Sequence, residues 1–98
     1  MNETPIYTVT TIERSLAAGK RAVGFFHEFE IAEKAVIYNS LDINEMGYYP
    51  FAVIEEVTPG IYSFSRKEYW YQWNRVTKCY ERIEKPERFK QVVCWGLG

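Results

Sequence analysis

Aromatic and basic side chains share one short segment in the C-terminal third of the chain. Tyr69, Tyr71 and Trp73 alternate with Trp70 and Gln72, as in a β-strand whose side chains point to opposite faces. An aromatic ring can stack on a flat base, which contributes about 1–3 kcal/mol, and arginine can hold a phosphate through two hydrogen bonds. These residue types therefore predict a site for a small anionic nucleotide-like ligand.

The predicted ligand-binding residues divide into rings that would stack on the ligand and cations that would contact its phosphate. The rings are Trp70, Tyr71 and Trp73. The cations are Arg66, Lys67, Arg75 and Arg82. The alternative is a structural role, with one set of rings in the core and the other in an interface between subunits, where Tyr, Trp and Arg are enriched. The residue types alone leave both interpretations open.

Charge is distributed unevenly along the chain. The 98 residues carry 12 Lys and Arg against 13 Asp and Glu, for a formal net charge of −1. Residues 1–60 hold four basic and nine acidic side chains (4 − 9 = −5), whereas residues 61–98 hold eight and four (8 − 4 = +4). A nearly neutral chain lacks the strong basic field of a general nucleic-acid binder, so no nucleic-acid polymer is expected as a partner.

Motifs that would indicate catalysis are missing from the sequence. It has no G-x-S-x-G nucleophile elbow, no H-E-x-x-H metal motif, no G-x-G-x-x-G and no complete phosphate loop. His27 is the only histidine, and it would need Glu28 or Glu55 beside it to act as a base. We therefore expect a non-enzymatic protein, with a small hydrolase based on His27 as an alternative.

Metal-binding and targeting patterns are also missing. Cys79 and Cys94 do not form a C-x-x-C pair and there is one histidine, whereas a structural zinc ion takes four such ligands. No metal or other cofactor is predicted. The first residues lack the pattern of a secretory signal, and no run of 18 apolar residues occurs. These patterns predict a cytoplasmic protein with no membrane partner.

Hydrophobic periodicity predicts the elements that would position the aromatic and basic side chains. A chain of 98 residues is expected to form a single domain. The pattern favours an α+β fold, a largely antiparallel sheet of about five to six strands with one main helix packed on one face. The strands are predicted over 6–12, 21–29, 48–57, 68–74, 79–84 and 91–97, and the helix over 30–39. Because both faces of segment 21–29 carry bulky side chains, this strand is expected to be central.

The chain has more aromatic bulk than one short helix can cover. It contains six Phe, eight Tyr and three Trp. A ten-residue helix is about 15 Å long and shields a few strands on one face only. Because monomers seldom expose large apolar patches, the second face is expected to be covered by a partner chain, the N-terminal strand or a ligand, with a homo-oligomer as the first hypothesis. An exposed aromatic sheet face is also the basis of an alternative function, a protein-protein interaction module.

A family resemblance depends on several runs of the sequence. They include Val23-Gly24-Phe25-Phe26, Ala52-Val53-Ile54-Glu55-Glu56-Val57, Gly60-Ile61-Tyr62, Tyr69-Trp70-Tyr71-Gln72-Trp73-Asn74, Ile83-Glu84-Lys85-Pro86 and Trp95-Gly96-Leu97-Gly98. Over residues 20–98 the chain resembles a group of small uncharacterised proteins encoded by clostridia-like bacteria and their prophages. The prophage setting implies a bacterial host cell and a similarity to phage proteins that sequester nucleotide immune signals, such as those opposing Thoeris or cyclic-oligonucleotide systems. Such proteins bind adenine-containing signals without cleaving them, usually as oligomers.

Overall fold

The computed structural model describes residues 4–14, 19–58 and 65–89, which form one antiparallel sheet with one α-helix packed on it. The strands are β1 (Ile6–Ile12), β2 (Lys20–Phe26), β3 (Phe51–Val57), β4 (Ser65–Asn74) and β5 (Cys79–Ile83). The helix, α1, spans Phe29–Ile37, and short 3₁₀ turns span Ser40–Asp42 and Glu87–Phe89. The strands are arranged in the order β2-β1-β3-β4-β5. The predicted α+β fold is confirmed with five strands, and the predicted strand 91–97 lies outside the described residues.

The prediction that segment 21–29 forms a central strand is wrong in position and in length. Among the described strands, β2 lies at the edge of the sheet, and it ends at Phe26 because the chain bends before Phe29 starts α1. Phe25 is 59% exposed. An edge strand has one neighbouring strand only, so bulk on both of its faces does not mean that both faces are buried.

The helix α1 packs on the sheet through a narrow stripe. Ala32 and Val36, which lie one helical turn apart, are both fully buried. The helix ends at Ile37, two residues before the predicted end, and Asn39 then adopts a left-handed conformation with φ 51°. Asparagine adopts this conformation more readily than most residues. Within the described segments, no helix has the length and apolar character needed to cross a membrane.

The connection between α1 and β3 contains a run of left-handed backbone. The non-glycine residues with φ between 50° and 58° in this connection are Asn39, Leu41, Asp42, Glu45 and Met46. This conformation costs an L-residue roughly 1–2 kcal/mol, and Asn and Asp tolerate it best. Leu41 and Met46 also keep their apolar side chains almost completely in solvent, at 101% and 95% exposure. The connection is therefore held by contacts elsewhere in the loop and not by these two side chains.

Both faces of the sheet are packed. The helix-face cluster is Val9, Ala32, Val36, Ala52, Ile54, Tyr71 and Tyr80. The opposite-face cluster is Ile12, Phe51, Val53, Trp70 and Phe89. On the opposite face, Val53 and Trp70 are 0% and 2% exposed in the single chain. The uncovered apolar face that motivated a second subunit is therefore not found in this cluster, and homo-oligomerisation stays a prediction.

Candidate functional site

A basic cleft opens at one end of the sheet, where β1 and β4 end and β3 begins. Its volume is about 510 Å³. The described residues that line this cleft, which we call the Arg–Trp cleft, are Arg14, Gly47, Pro50, Phe51, Gln72, Trp73, Arg75 and Arg88. None of these residues is acidic. The cleft therefore combines three guanidinium groups with one indole ring.

Strand pairing explains why residues far apart in the sequence meet at the Arg–Trp cleft. Ile12, at the end of β1, pairs with Phe51 at the start of β3. Phe51 pairs in turn with Gln72 near the end of β4. Arg14 and Trp73 follow these paired residues along their own segments, so the sheet register brings both to the same edge.

The β4–β5 turn holds the backbone of Arg75 at the rim of the cleft. The Asn74 side-chain oxygen accepts hydrogen bonds from the N–H groups of Val76 and Thr77, at 2.8 and 3.2 Å. The Lys78 N–H donates to the Asn74 carbonyl oxygen at 2.8 Å. An asparagine side chain that bonds to the backbone two residues ahead is a common way to fix a turn. The turn therefore fixes the backbone around Arg75, whose side chain is exposed.

Trp73 is held in place by a backbone hydrogen bond and by contact with Tyr80. Its backbone N–H donates to the Pro50 carbonyl oxygen at 2.8 Å, and its ring meets Tyr80 edge to face with centroids 5.1 Å apart. The Tyr80 hydroxyl and the Asn44 amide both donate to the Tyr49 carbonyl oxygen, at 2.6 and 2.8 Å. Burial raises the pKa of Tyr80 to about 12, so its hydroxyl stays protonated as a donor at neutral pH. Trp73 itself is only half-buried, so part of its ring faces the cleft.

Among the described residues, the three arginines of the cleft have no acidic partner. Within the described segments, no carboxylate lies within ion-pair distance of Arg14, Arg75 or Arg88. The Arg88 guanidinium lies instead over the rings of Phe51 and Phe89, at 5.0 and 4.8 Å from their centroids. Positive charges that are not neutralised locally raise the concentration of anions in a cleft. The Arg–Trp cleft is therefore suited to an anionic ligand.

Arg82 and Tyr71, both predicted to bind the ligand, are engaged with the helix instead. Arg82 Nη1 lies 3.8 Å from Glu33 Oε2, and its guanidinium lies over the Tyr69 ring at 4.7 Å. Tyr71 is fully buried and donates to the same carboxylate at 2.6 Å. Burial and the hydrogen bond to Glu33 raise the pKa of Tyr71. Both side chains hold α1 on the sheet, and neither lines the cleft.

Trp70 lies on the opposite face of the sheet from Tyr71 and is 2% exposed. Its ring stacks on Phe89 with centroids 5.6 Å apart, and its indole N–H donates to Glu68 at 2.9 Å. The alternation predicted along β4 is confirmed, because Tyr71 and Trp73 pack on the helix side while Trp70 packs on the other. Trp70 and Tyr71 therefore do not form two walls of one site.

Lys67 and Arg66 belong to the far end of β4. Lys67 pairs with Glu56 and lies seven residues from Asn74. A rise of about 3.3 Å per residue separates the two positions by roughly 23 Å. Arg66 is part of β4, but its side chain lies outside the described part of the structure. Of the predicted binding residues, Trp73 and Arg75 are the two that the structure brings together at the Arg–Trp cleft.

Arg14 and Arg88 are the two cations of the cleft that are not among the predicted binding residues. Arg14 lies 59 positions before Trp73 and reaches the cleft through the pairing of β1 with β3. Arg88 lies in the 3₁₀ turn Glu87–Phe89, and this turn is held in place because Phe89 packs in the opposite-face cluster. Arg14 could have been found from a correct prediction of how β1 pairs with β3.

His27, the basis of the hydrolase alternative, forms no catalytic pair with the predicted glutamates. It is exposed just after β2, and its ring meets Phe25 edge to face at 5.8 Å. Glu55 is fully buried on β3, and β1 separates β3 from β2. In residues 4–14, 19–58 and 65–89, no cluster of three or more His, Cys, Asp or Glu is arranged to hold a metal ion.

The residues that line the Arg–Trp cleft determine which ligand it could bind. The cleft supplies three cations, the edge of one amide side chain and one partly exposed indole. The chain matches no protein family model, no curated protein and no solved structure.

Proposed function

We propose that this chain binds a small anionic nucleotide-like ligand in the Arg–Trp cleft and holds it without changing it chemically. The observation that carries the proposal is one concavity that combines a half-buried tryptophan with three arginines that have no carboxylate partner in the described part of the chain. Its volume of about 510 Å³ lies in the range of small-molecule sites, about 300–1,000 Å³.

The cations suit a phosphorylated ligand. A phosphate monoester carries about 1.5–2 negative charges at neutral pH. Arginine binds phosphate oxygens through two parallel hydrogen bonds, which fixes orientation as well as adding energy. Arg88 is already oriented by the two phenyl rings beneath it. Arg14 and Arg75 approach from two other segments, so a phosphate in the cleft would be contacted from more than one side.

The neutral residues of the cleft suit the ring of a nucleotide. Stacking of a base on Trp73 would contribute about 1–3 kcal/mol. Gln72 also lines the cleft and is exposed, and its amide offers both donors and acceptors to a ligand. Ring and phosphate would thus be recognised by different walls of the same cleft.

The lining also supports binding without catalysis. Among the described residues of the cleft there is no Ser, Cys, His, Lys, Asp or Glu, the side chains that most often act as nucleophile or general base. The role we propose is sequestration of a signalling nucleotide, as the resemblance to phage proteins of this kind implies. Depletion of such a signal requires affinity near the nanomolar range, about −12 kcal/mol.

Isothermal titration calorimetry tests the proposal. The purified protein is titrated at low ionic strength with adenine mononucleotides, adenine dinucleotides and cyclic oligonucleotides. We expect saturable binding of at least one class, and the same compound recovered unchanged by chromatography after release. Absence of saturable binding across this panel would overturn the proposal, as would recovery of a hydrolysed product.

A pair of variants locates the site. Arg75→Ala removes a cation of the cleft in the turn that follows β4. Lys67→Ala removes another exposed cation, on β4 itself and roughly 23 Å from the start of that turn. Loss of a hydrogen-bonded charge is worth about 1.5–3 kcal/mol, so Arg75→Ala should weaken binding about tenfold or more. Lys67→Ala should leave it within about twofold. Equal losses in both variants would place the ligand elsewhere.

The alternative of a protein interaction module needs an exposed aromatic sheet face. The described rings on the two sheet faces are mostly buried, and the most exposed aromatic side chains are Phe25, Tyr38 and Tyr48, on the edge strand and in the loops. A stoichiometric protein partner captured without any nucleotide would favour this alternative over the ligand site.

A further inference from the structure

We propose a second ligand site, in an apolar cavity between the edge strand β2 and the helix α1, which accepts a neutral and predominantly apolar small molecule. The cavity has a volume of about 400 Å³. It shares no lining residue with the Arg–Trp cleft among the residues the structure describes. The two sites are therefore chemically and spatially separate, and this proposal does not depend on the nucleotide site.

Gly24 is the first observation that points to a ligand. It pairs with Val9, whose side chain belongs to the helix-face cluster, so a side chain at position 24 would point toward α1. A Cβ built there meets no atom within 4 Å, which means that the space above Gly24 is open. Glycine is unfavourable inside a strand, where it often marks a β-bulge or a place where a ligand approaches the backbone. Its φ is not in the left-handed region, so the backbone does not require glycine here.

A β-bulge beside Gly24 shapes the cavity wall. Val9 pairs with Gly24 but the next residue, Thr10, pairs with Ala22, so Val23 is an extra residue in β2. A bulge bends its strand and redirects a side chain, and bulges are frequent next to binding sites. Here Val23 is half-buried, packs against the helix-face cluster and lines the cavity.

The interior of the cavity is apolar. Val9 and Val36, which are 2% and 0% exposed, form its floor. Phe26 and Ile43 are half-buried and stand on two sides. Burial of apolar ligand surface against such walls contributes about 25 cal/mol per Å² before the costs of association. The interior therefore favours a hydrocarbon or aromatic body over a charged one.

The charged residues at the rim of the cavity disfavour an anionic ligand. Arg21 donates a hydrogen bond to the Glu45 carboxylate and a second one, at 3.4 Å, to the Ile43 carbonyl oxygen. Its charge is therefore neutralised within the rim. Asp42 adds a further carboxylate, so one cation faces two anions and an anionic ligand would be repelled. Leu41, which is fully exposed at the mouth, would gain apolar contact when the cavity is filled.

Titration with N-phenyl-1-naphthylamine, a neutral dye that fluoresces in apolar surroundings, tests the proposal. The wild-type protein should give a saturable rise in fluorescence. Gly24→Leu places a side chain in the open space and should weaken dye binding about tenfold or more. The matched control is Ala22→Leu, which adds a leucine to the same strand at an exposed position that pairs with Thr10, and it should bind as the wild type does.

Methyl NMR of the wild-type protein keeps the test decisive where Gly24→Leu fails to fold. The dye should shift the methyl signals of Val9, Val23 and Val36 and leave those of Ile12 and Val53, on the opposite face, unchanged. The proposal is overturned by the lack of saturable binding, by Gly24→Leu binding as tightly as Ala22→Leu, or by shifts centred on the opposite-face cluster.

Discussion

Arg75 and Arg82 belong to the same β-hairpin, yet their surroundings differ. Arg82 lies 3.8 Å from Glu33 and over the ring of Tyr69, and so it is part of the contact between sheet and helix. Arg75, at the turn, has no carboxylate partner among the described residues and lines an open cleft. Both count equally in the composition of the segment. The difference teaches that strand register and the position of the covering helix decide which cation is available to a ligand.

The same comparison extends to the rings of β4. Trp70 and Tyr71 are enclosed, one on each face of the sheet, whereas Trp73 reaches the edge of the Arg–Trp cleft. We therefore expect the enclosed part of the hairpin to control stability and the open end to control binding. Four measurements can break or sharpen this division, beginning with the largest expected effect.

Truncation of the enclosed tryptophan should have the largest effect. Trp70→Ala removes a ring that is 2% exposed and stacked on Phe89. Large-to-small substitutions of buried aromatic residues cost about 3–5 kcal/mol, a large part of the 5–15 kcal/mol of a small domain. Urea unfolding monitored by circular dichroism measures the loss. A loss below about 1 kcal/mol would show that Trp70 is not part of the core.

Charge reversal at the open end should affect binding alone. Arg75→Glu replaces an attraction to the phosphate with a repulsion, and we expect nucleotide affinity to fall about 100-fold, or about 2.7 kcal/mol. The free energy of unfolding should change by less than about 0.5 kcal/mol, because Arg75 is exposed. Calorimetric titration and urea unfolding of one preparation give both values. A marked loss of stability with unchanged affinity would reverse the assignment.

Alkaline pH should destabilise the protein through the buried tyrosines of the hairpin, Tyr80 and Tyr71. The folded-state pKa of Tyr80 is raised to about 12 from an ordinary value of 10.0, so its stabilising effect is complete below pH 10 and is lost as the pH rises toward 12. The pKa of Tyr71 is raised in the same direction. Each group contributes about 1.4 kcal/mol per pH unit in this window, so Tyr80 alone accounts for about 2–3 kcal/mol.

Urea unfolding at several pH values between 8 and 11.5 follows this decline. Tyr80→Phe, which cannot ionise, should show a shallower loss of stability than the wild type over the same range. Identical slopes for the two proteins would contradict the burial of the Tyr80 hydroxyl.

Arg82→Ala should have the smallest effect and the opposite character to the change at Arg75. The ion pair with Glu33 is partly exposed, and such pairs contribute about 0–1 kcal/mol. We expect a loss of stability of about 1 kcal/mol or less, with nucleotide affinity within about twofold of the wild type. A tenfold loss of affinity would bring Arg82 back into the ligand site.

Local patterns were sufficient to predict most of the elements. The alternation of Tyr69, Tyr71 and Trp73 predicts the two faces of β4, and the spacing of Ala32 and Val36 predicts the buried stripe of α1. These features depend on residues close together in the chain. The strand order depends on pairings between distant segments, which a single sequence does not reveal. Segment 21–29 was therefore misplaced at the centre of the sheet.

The candidate site was predictable in part for the same reason. Trp73 and Arg75 lie within one hairpin, so their proximity follows from the local turn. Arg14 and Arg88 come from segments before and after the hairpin in the chain and reach it through the strand register and the packing of Phe89. The apolar cavity depends on the empty space above Gly24. A sequence pattern shows which residues are apolar, but it does not show where the folded chain leaves space unfilled.

The left-handed residues between α1 and β3 have a practical consequence for protein engineering. Met46 has φ 58°, is 95% exposed and is absent from the lining of both proposed sites. A glycine there would relieve about 1–2 kcal/mol of steric cost. It would also cost about 0.5–1 kcal/mol, because glycine loses more backbone entropy on folding than other residues do. Met46→Gly should therefore raise the melting temperature by a few degrees, although a glycine substitution lowers it at most other positions.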